Sequence, residues 1–94
     1  MFENKNILVI GGTGTIGQAL VNRIVLQKPK VVRIFSRDEF KQHQMQQKLE
    51  GFRNIRFLLG DVRDKERIYK AMHGIDVVFD LAALKHVPSC EYNP

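Results

Sequence analysis

Residues 7–17 read ILVIGGTGTIG, an apolar run that passes directly into a cluster of four glycines. The run is rich in β-branched residues and shows no alternation, which is typical of a strand buried on both faces. Apolar residues then recur at helical spacing from Thr15 to Leu26, before Pro29 limits the helix. The predicted buried positions of this helix are Ile16, Ala19, Leu20, Val21, Ile24 and Val25. The segment therefore predicts a strand, a tight glycine turn and a helix in direct succession.

Three further apolar runs predict the remaining strands, at 31–35, 55–59 and 77–79. A helix-length segment separates each strand from the next, which gives the order βαβαβαβ. Strands joined in this way are parallel, because the helix carries the chain back to the starting end of the sheet. The sequence therefore predicts an α/β fold with a partial doubly wound (Rossmann) parallel sheet.

Helix boundaries are predicted from capping residues. Ser36 followed three residues later by Glu39 predicts a capping box for a helix that continues toward Leu49, and Gly51 predicts its end. Asp64 predicts the N-cap of the third helix, and a glycine at position 74 predicts its end.

Composition restricts the classes of function. Of the 94 residues, 44% are hydrophobic and 27% are charged, which is ordinary for a soluble globular chain. No apolar run approaches the roughly 20 residues of a membrane-spanning helix, and no secretory signal is present, so we expect no membrane association and a cytoplasmic location. The net charge is +5, but most aromatic residues fall inside apolar runs, so we expect no nucleic-acid partner. His43, His73 and Cys90 have no partners at metal-ligand spacing, so we expect no metal site.

The glycine cluster occupies the position of a dinucleotide-binding loop, between a strand and a helix. Gly11 permits the sharp exit from the strand, Gly14 lets a pyrophosphate approach the backbone, and Gly17 lets the helix pack close to the sheet. The N–H groups at the helix start then face the phosphates. The alternative is a glycine-rich turn without a ligand; the βαβ context favours binding. The predicted binding residues are Gly11, Gly12, Thr13, Gly14, Thr15, Ile16 and Gly17.

The end of the second strand distinguishes NADP from NAD. An NAD site carries Asp or Glu there, about 20 residues after the glycines, to bind the ribose 2′-hydroxyl. In this chain Ser36 leaves room for a 2′-phosphate, Arg37 can clamp it, and Lys41 adds charge, so NADP is predicted. Asp38 and Glu39 lie close enough to keep NAD open. The alternative is that Ser36 and Asp38 only cap the helix while Arg37 and Lys41 are solvated.

Residues after the third and fourth strands are predicted to meet the same ligand. The Asp61 carboxylate can accept from the adenine amine while Val62 packs on the ring, although a carboxylate there can instead bond the loop backbone. Small residues after the fourth strand let the backbone approach the cofactor. Lys85 is predicted to contact cofactor or substrate, and its alternative is a solvated charge. The predicted contacts of these two strand ends are Asp61, Val62, Leu81, Ala82, Ala83 and Lys85.

Four segments together resemble one family. They read GGTGTIG at 11–17, SRDE at 36–39, GDVRD at 60–64, and AALKHVP at 82–88 with EYNP at 91–94. On these residues the chain resembles the N-terminal part of the UDP-N-acetylglucosamine 4,6-dehydratases of capsule, O-antigen and flagellin-glycan synthesis. That family belongs to the extended short-chain dehydrogenase/reductase superfamily. The first motif is shared across the superfamily, and the narrower last segment carries the family resemblance.

The resemblance implies NADP and a redox-neutral reaction. Such enzymes pass the C4 hydride of the sugar to NADP, eliminate water across C5 and C6, and return the hydride at C6; inverting members also epimerise C5. It implies NADP contacts from residues 12–16, Ser36, Arg37, Asp38, Lys41, Asp61, Val62, Leu81 and Lys85. The superfamily's Tyr-x-x-x-Lys pair is absent from the 94 residues, so no catalytic residue is predicted and we expect this chain alone to be inactive.

We therefore expect residues 1–94 to be the N-terminal part of an NADP-binding Rossmann domain. The remainder of that domain and a substrate domain would lie outside the chain, because the complete dinucleotide fold has six strands. The expected substrate of the full-length protein is UDP-N-acetylglucosamine, and pairing of the fourth strand between copies predicts a homo-oligomer. Two alternatives stay open: an NAD(P)-dependent nucleotide-sugar epimerase or reductase, and a non-catalytic dinucleotide-binding module.

Overall fold

The computed structural model describes residues 1–82, in which strands and helices alternate strictly. The elements are β1 Asn6–Ile10, α1 Thr15–Ile24, β2 Val31–Ser36, α2 Glu39–Lys48, β3 Ile55–Leu59, α3 Lys65–Ala71 and β4 Val77–Asp80, with a short 3₁₀ turn, Val25–Gln27, after α1. The predicted order of elements is confirmed.

The four strands form one parallel sheet in the order β3-β2-β1-β4. Ile10 lies opposite Phe35 on one side and Asp80 on the other, and Ser36 lies opposite Leu59. The carboxyl ends of all four strands therefore meet along one edge of the sheet, where ligands bind in doubly wound folds. The predicted Rossmann arrangement is confirmed.

Helices cover both faces of the sheet. Ile7 and Val9 of β1 pack with buried residues of α1 and α2, whereas Leu8 and Ile10 pack with Ala71 of α3. All four β1 side chains from Ile7 to Ile10 are buried, because the strand lies between two apolar layers. This explains why residues 7–10 show no alternation of apolar and polar residues.

The predicted buried face of α1 is wrong in part. Ile16 is 64% exposed and Ala19 is also exposed, whereas Gly17, Val21 and Ile24 are buried. The physical reason is the close approach of Gly17 to the preceding loop, which turns the 17-21-24 face toward the sheet. The α-helix ends at Ile24, and the 3₁₀ turn carries the chain to the sharp bend after it.

The predicted capping box of Ser36 and Glu39 is wrong. Ser36 is the last residue of β2 and is still paired with β3, so it cannot leave the sheet to cap a helix. Asp38 caps α2 instead, because its Oδ1 accepts a hydrogen bond from the Lys41 N–H at 3.0 Å. The helix ends at Lys48, and the predicted stop, Gly51, lies in the turn beyond it.

The ends of α3 agree with the sequence, and a contact from β2 adds to them. Asp64 caps its first turn, and Gly74 after its last turn has a left-handed φ of 74°. The Arg33 Nη1 donates to the carbonyl oxygens of Ala71 at 2.9 Å and His73 at 2.8 Å. Arg33 thus satisfies carbonyls that α3 leaves without helical partners.

Candidate nucleotide-binding site

A cleft of about 490 Å³ opens at the carboxyl ends of the strands. It is lined by Gly11, Thr13, Ser36, Arg37, Asp38, Lys41, Gly60, Asp61, Val62, Arg63 and Ala82. All but two of these, Gly60 and Arg63, are predicted binding residues. The cleft therefore brings together side chains from four segments that are far apart in the sequence.

Gly11 turns the chain out of β1 at the base of the cleft. Its φ is 81°, the left-handed region that favours glycine, and its N–H donates to the Phe35 carbonyl at 2.7 Å. A Cβ at this position would lie 3.0 Å from the backbone nitrogen of Ala82. Glycine is therefore required both by the turn and by the passing backbone after β4.

Gly12 and Gly17 pack the loop against its own helix and the sheet. A Cβ at Gly17 would lie 2.6 Å from two backbone atoms of Gly12, and a Cβ at Gly12 would lie 2.8 Å from Cγ2 of Ile34. Both positions face the protein interior, and neither lines the cleft. Their contribution is to bring the start of α1 close to the sheet, as the sequence predicts for Gly17.

The first turn of α1 presents backbone donors. Gly14 is its N-cap in extended conformation and offers no side-chain acceptor, and the turn carries no acidic residue. The Gln18 side chain bonds the Thr13 carbonyl at 2.9 Å, which holds the loop ahead of the helix. N–H groups at a helix start that lack side-chain acceptors favour an anion, because the helix dipole is positive there.

Cationic side chains line the opposite part of the cleft, around Asp61. Arg37 and Arg63 are 75% and 81% exposed, and their guanidinium groups approach the Asp61 Oδ2 at 3.7 and 2.9 Å. Lys41, one turn into α2, lines the same cleft. The three cations outnumber the two carboxylates of the cleft lining, Asp38 and Asp61, so this side of the cleft suits an anionic group.

Arg63 holds the Asp61 carboxylate in place. Its Nε lies 3.2 Å and its backbone nitrogen 2.8 Å from Oδ1, while Nη2 binds Oδ2. The side-chain hydrogen bond, then the backbone hydrogen bond, lower the pKa of Asp61 from 3.8 to about 2. Asp61 is therefore ionised throughout the neutral range, and the predicted alternative role, a carboxylate that bonds loop backbone, is present in this structure.

Ser36 is buried at the rim of the cleft, 7% exposed, and Gln42 of α2 lies behind it with the same exposure. The Gln42 Nε2 donates to the Ser36 Oγ at 2.9 Å and to the carbonyl of Leu58 at 2.8 Å. The side chain of Gln42 thus joins the ends of β2 and β3 to α2. Sequence reasoning missed this residue, because nothing in a run of four glutamines among six residues marks one as buried.

The two missed lining residues carry recognisable local signals. Gly60 follows β3 directly, and a Cβ there would lie 2.7 Å from the Phe35 ring. Arg63 stands two residues after Asp61, the spacing of an aspartate that accepts from the backbone two positions on. A glycine directly after a strand and the Asp-x-Arg spacing are therefore the sequence signals that indicate Gly60 and Arg63.

Several predicted binding residues lie outside the cleft lining. Leu81 packs on the core shared with α1 and α2. The lining also excludes the residues of the loop and first helical turn at 14–17. Ala83 and Lys85 lie outside the described residues, as does all but the first residue of the segments at 82–88 and 91–94 that carry the family resemblance.

Residues 1–82 contain neither a candidate membrane span nor a candidate metal site. No helix in this part of the chain is both long and apolar enough to cross a bilayer. The same part holds no group of three or more His, Cys, Asp or Glu side chains arranged to bind a metal ion.

The sequence matches known proteins over nearly its whole length. Residues 7–94 match the family model described as polysaccharide biosynthesis protein. The chain is 47% identical over 96 residues to a UDP-N-acetylglucosamine 4,6-dehydratase (inverting) of Campylobacter jejuni strain 81-176, and 45% identical over 98 residues to a UDP-glucose 4-epimerase of Rickettsia prowazekii. Each match covers 100% of this chain and 28% of the relative, so the chain spans less than a third of the length of these relatives.

Solved structures share the fold. Pen from Bacillus thuringiensis superposes with a TM-score of 0.87 at 52% identity, over 100% of this chain and 29% of that one. A short-chain dehydrogenase/reductase of Veillonella parvula in complex with NADP gives 0.69 at 17% identity, over 81% of this chain and 34% of that one. WbmF of Bordetella bronchiseptica in complex with NAD⁺ gives 0.66 at 21% identity, over 85% and 23%. By sequence and fold, this chain belongs to the polysaccharide biosynthesis protein family.

Proposed function

We propose that the chain is the NADP-binding portion of a nucleotide-sugar 4,6-dehydratase that acts on UDP-N-acetylglucosamine. Relatives with that name are 47% identical to it. When bound, such a cofactor would supply hydride transfer at its nicotinamide. The described residues would bind and orient the other end of the cofactor.

The residues of the cleft fit a dinucleotide. A volume of about 490 Å³ lies within the range of about 300–1,000 Å³ of small-molecule sites. The N–H groups at the start of α1 suit a pyrophosphate, and Val62, 40% exposed, offers an apolar surface to a base. A Cβ added at Gly11 would lie only 3.0 Å from the backbone nitrogen of Ala82, so the loop packs closely against the chain after β4 beneath the site.

The residues at the end of β2 are the observation that favours NADP over NAD as the cofactor. The last residue of this strand is Ser36, where an NAD site has a carboxylate that binds the ribose 2′-hydroxyl. Arg37 and Lys41 follow it into the same cleft. A hydroxyl, a guanidinium and an ammonium form a donor set suited to a phosphate dianion. Asp38 is engaged as the cap of α2, which leaves it less available to a ribose.

The substitution Arg37→Asp tests this assignment. We expect it to raise the Kd for NADP at least tenfold, because an attractive charge next to the 2′-phosphate becomes a repulsive one. The Kd for NAD should change little or fall, because an acidic residue can bind the 2′-hydroxyl. Calorimetric titration of the chain with each nucleotide measures both constants.

Arg53→Asp provides the matched control. Arg53 is exposed and precedes β3, at the opposite edge of the sheet from the cleft. The same change of charge there should leave the ratio of the Kd for NAD to the Kd for NADP unaltered. A wild-type chain that binds NAD as tightly as NADP would contradict the proposal. So would equal losses of NADP affinity in the two variants.

A nucleotide-sugar 4-epimerase is the second candidate, because UDP-glucose 4-epimerases are 45% identical to the chain over its whole length. The two activities differ in the mass of the product. A 4,6-dehydratase removes one water from the sugar, whereas an epimerase leaves its composition unchanged. The protein encoded by the whole reading frame that contains this sequence is incubated with UDP-N-acetylglucosamine and, separately, with UDP-glucose. Mass spectrometry of the resulting sugar nucleotides distinguishes the two activities. A product of unchanged mass would overturn the dehydratase.

A further inference from the structure

Gln42 is a buried polar side chain that the proposed binding role does not use. It lies on α2, is 7% exposed, and makes its hydrogen bonds at the ends of β2 and β3. A buried amide without partners is costly, so the arrangement of these bonds fixes the orientation of the group.

The surrounding backbone determines which end of the amide faces Ser36. The same nitrogen lies 2.8 Å from the Leu58 carbonyl oxygen and 3.2 Å from the Ser36 carbonyl oxygen. Carbonyl oxygens only accept, so the NH₂ group must face them. The Ser36 Oγ, 2.9 Å from this nitrogen, is therefore an acceptor in the contact.

A serine hydroxyl has one proton and two lone pairs. Because Gln42 uses a lone pair of the Ser36 Oγ, the proton is left for a different acceptor. Ser36 also lines the cleft, beside Arg37 and Lys41. An anionic acceptor placed in the cleft would therefore lie beside this proton as well as beside the two cationic side chains.

From this geometry we infer that Gln42 is a positioning residue for cofactor selection: it makes the Ser36 hydroxyl a donor toward the 2′-phosphate of NADP. The inference rests on the proposed NADP binding and deepens it. A phosphate oxygen is an ionised acceptor, and hydrogen bonds to ionised groups are about twice as strong as neutral ones. The 2′-hydroxyl of NAD is neutral and gains less from the same donor, so the orientation of Ser36 favours NADP.

The test is a double-mutant cycle on the 94-residue chain, read as the ratio of the Kd for NAD to the Kd for NADP. Ser36→Ala should lower this ratio about tenfold, and Gln42→Met, which keeps the length of the side chain without its amide, about threefold to fivefold. In the Ser36→Ala background, Gln42→Met should leave the ratio unchanged, because Gln42 acts through the hydroxyl. Gln44→Met, an exposed glutamine on the same helix, is the matched control and should match wild type.

A purely structural role for Gln42 gives a different result. It would weaken binding of both nucleotides equally and leave the ratio at its wild-type value, and that outcome overturns the inference while the proposed function stands. A wild-type chain with no preference for NADP overturns the proposed function, and the inference with it.

A measurement on the unsubstituted chain covers the case in which Gln42→Met does not fold. The side-chain amide protons of Gln42 report the contact with Ser36 directly in nitrogen-15 NMR spectra. NADP should shift them more than NAD does, because a phosphate polarises the hydroxyl that accepts from them. Equal shifts with the two nucleotides would overturn the inference.

Discussion

Asp61 sets the charge balance of the cleft at the level of single residues. Its carboxylate holds Arg63 through both oxygens and lies 3.7 Å from Arg37. The carboxylate thus partly neutralises the cations that would otherwise attract any anion. Its ionisation is a property that can be measured without a ligand.

We expect Arg63→Ala to raise the pKa of Asp61 from about 2 back toward 3.8, because the Arg63 side-chain hydrogen bond is the largest cause of the lowering. The folded pKa lies below the ordinary value. Any stability that this contact adds is therefore complete above about pH 4 and is lost as the pH falls toward 2. Carbon-13 NMR of the Asp61 carboxyl group during an acid titration measures the midpoint.

Arg53→Ala serves as the control for that titration, since Arg53 is exposed and lies before β3. Its Asp61 midpoint should equal the wild-type value. A midpoint that stays near 2 after Arg63→Ala would show that another group lowers the pKa.

Single residues differ in how well the sequence predicts them. Gly11, Ser36 and Arg37 are identified by their positions at or directly after the end of a strand, because the carboxyl ends of the parallel strands meet at one cleft. Gln42 is different: its role depends on facing the ends of two strands, and only the packed structure shows that. Whether any of the lining residues binds a nucleotide stays a prediction until the titrations are made.

At the junction between β1 and α1, the position of the helix depends on the absence of a Cβ atom at Gly17. We expect Gly17→Ala to lower the free energy of unfolding by about 1–3 kcal/mol, because the new Cβ would lie 2.6 Å from backbone atoms of Gly12 and the loop would have to move. Urea unfolding followed by circular dichroism measures the change.

Gly51→Ala is the matched control, because a Cβ there meets nothing within 4 Å. It should be neutral or slightly stabilising, since alanine restricts the unfolded chain. Equal stability of the two variants would mean that the loop yields to the added methyl group without cost.

Strands were more predictable than helix boundaries, for a physical reason. Each strand carries an apolar run that is visible in the sequence, from the buried residues of β1 and β2 to the half-buried and exposed residues of β3 and β4. The start of α2 is decided by competition: Ser36 and Asp38 are both good caps, and Ser36 is held in the sheet by its pairing with Leu59. In α1, the contact of Gly17 with the loop decides which face is buried, and this left Ile16 exposed against prediction. Local patterns do not contain such long-range constraints.

At the scale of the whole fold described by residues 1–82, β4 is an edge of the sheet. Within residues 1–82 it pairs with β1 on one side, and Val78 in its middle is 39% exposed. We expect the 94-residue chain to self-associate with rising concentration through this edge, and Val78→Lys to weaken the association, because a charge on an edge strand opposes pairing. Sedimentation velocity at several concentrations measures both.

Leu26→Lys controls for the added charge. Leu26 is 75% exposed in the turn after α1, outside the sheet, so this variant should associate as the wild type does. A wild-type chain that remains monomeric at every concentration would remove the prediction of edge pairing.

The cleft is built from segments around residues 11–13, 36–41, 60–63 and 82, which meet only after all four strands have assembled. The unfolded chain therefore has no site, and any ligand of the cleft binds the folded state alone. A ligand present at about 100 times its Kd adds about 2.7 kcal/mol to the free energy of unfolding. Such a ligand connects segments that are distant in sequence and lowers the population of unfolded chain. The rate at which proteases degrade the protein should therefore fall as the concentration of that ligand rises.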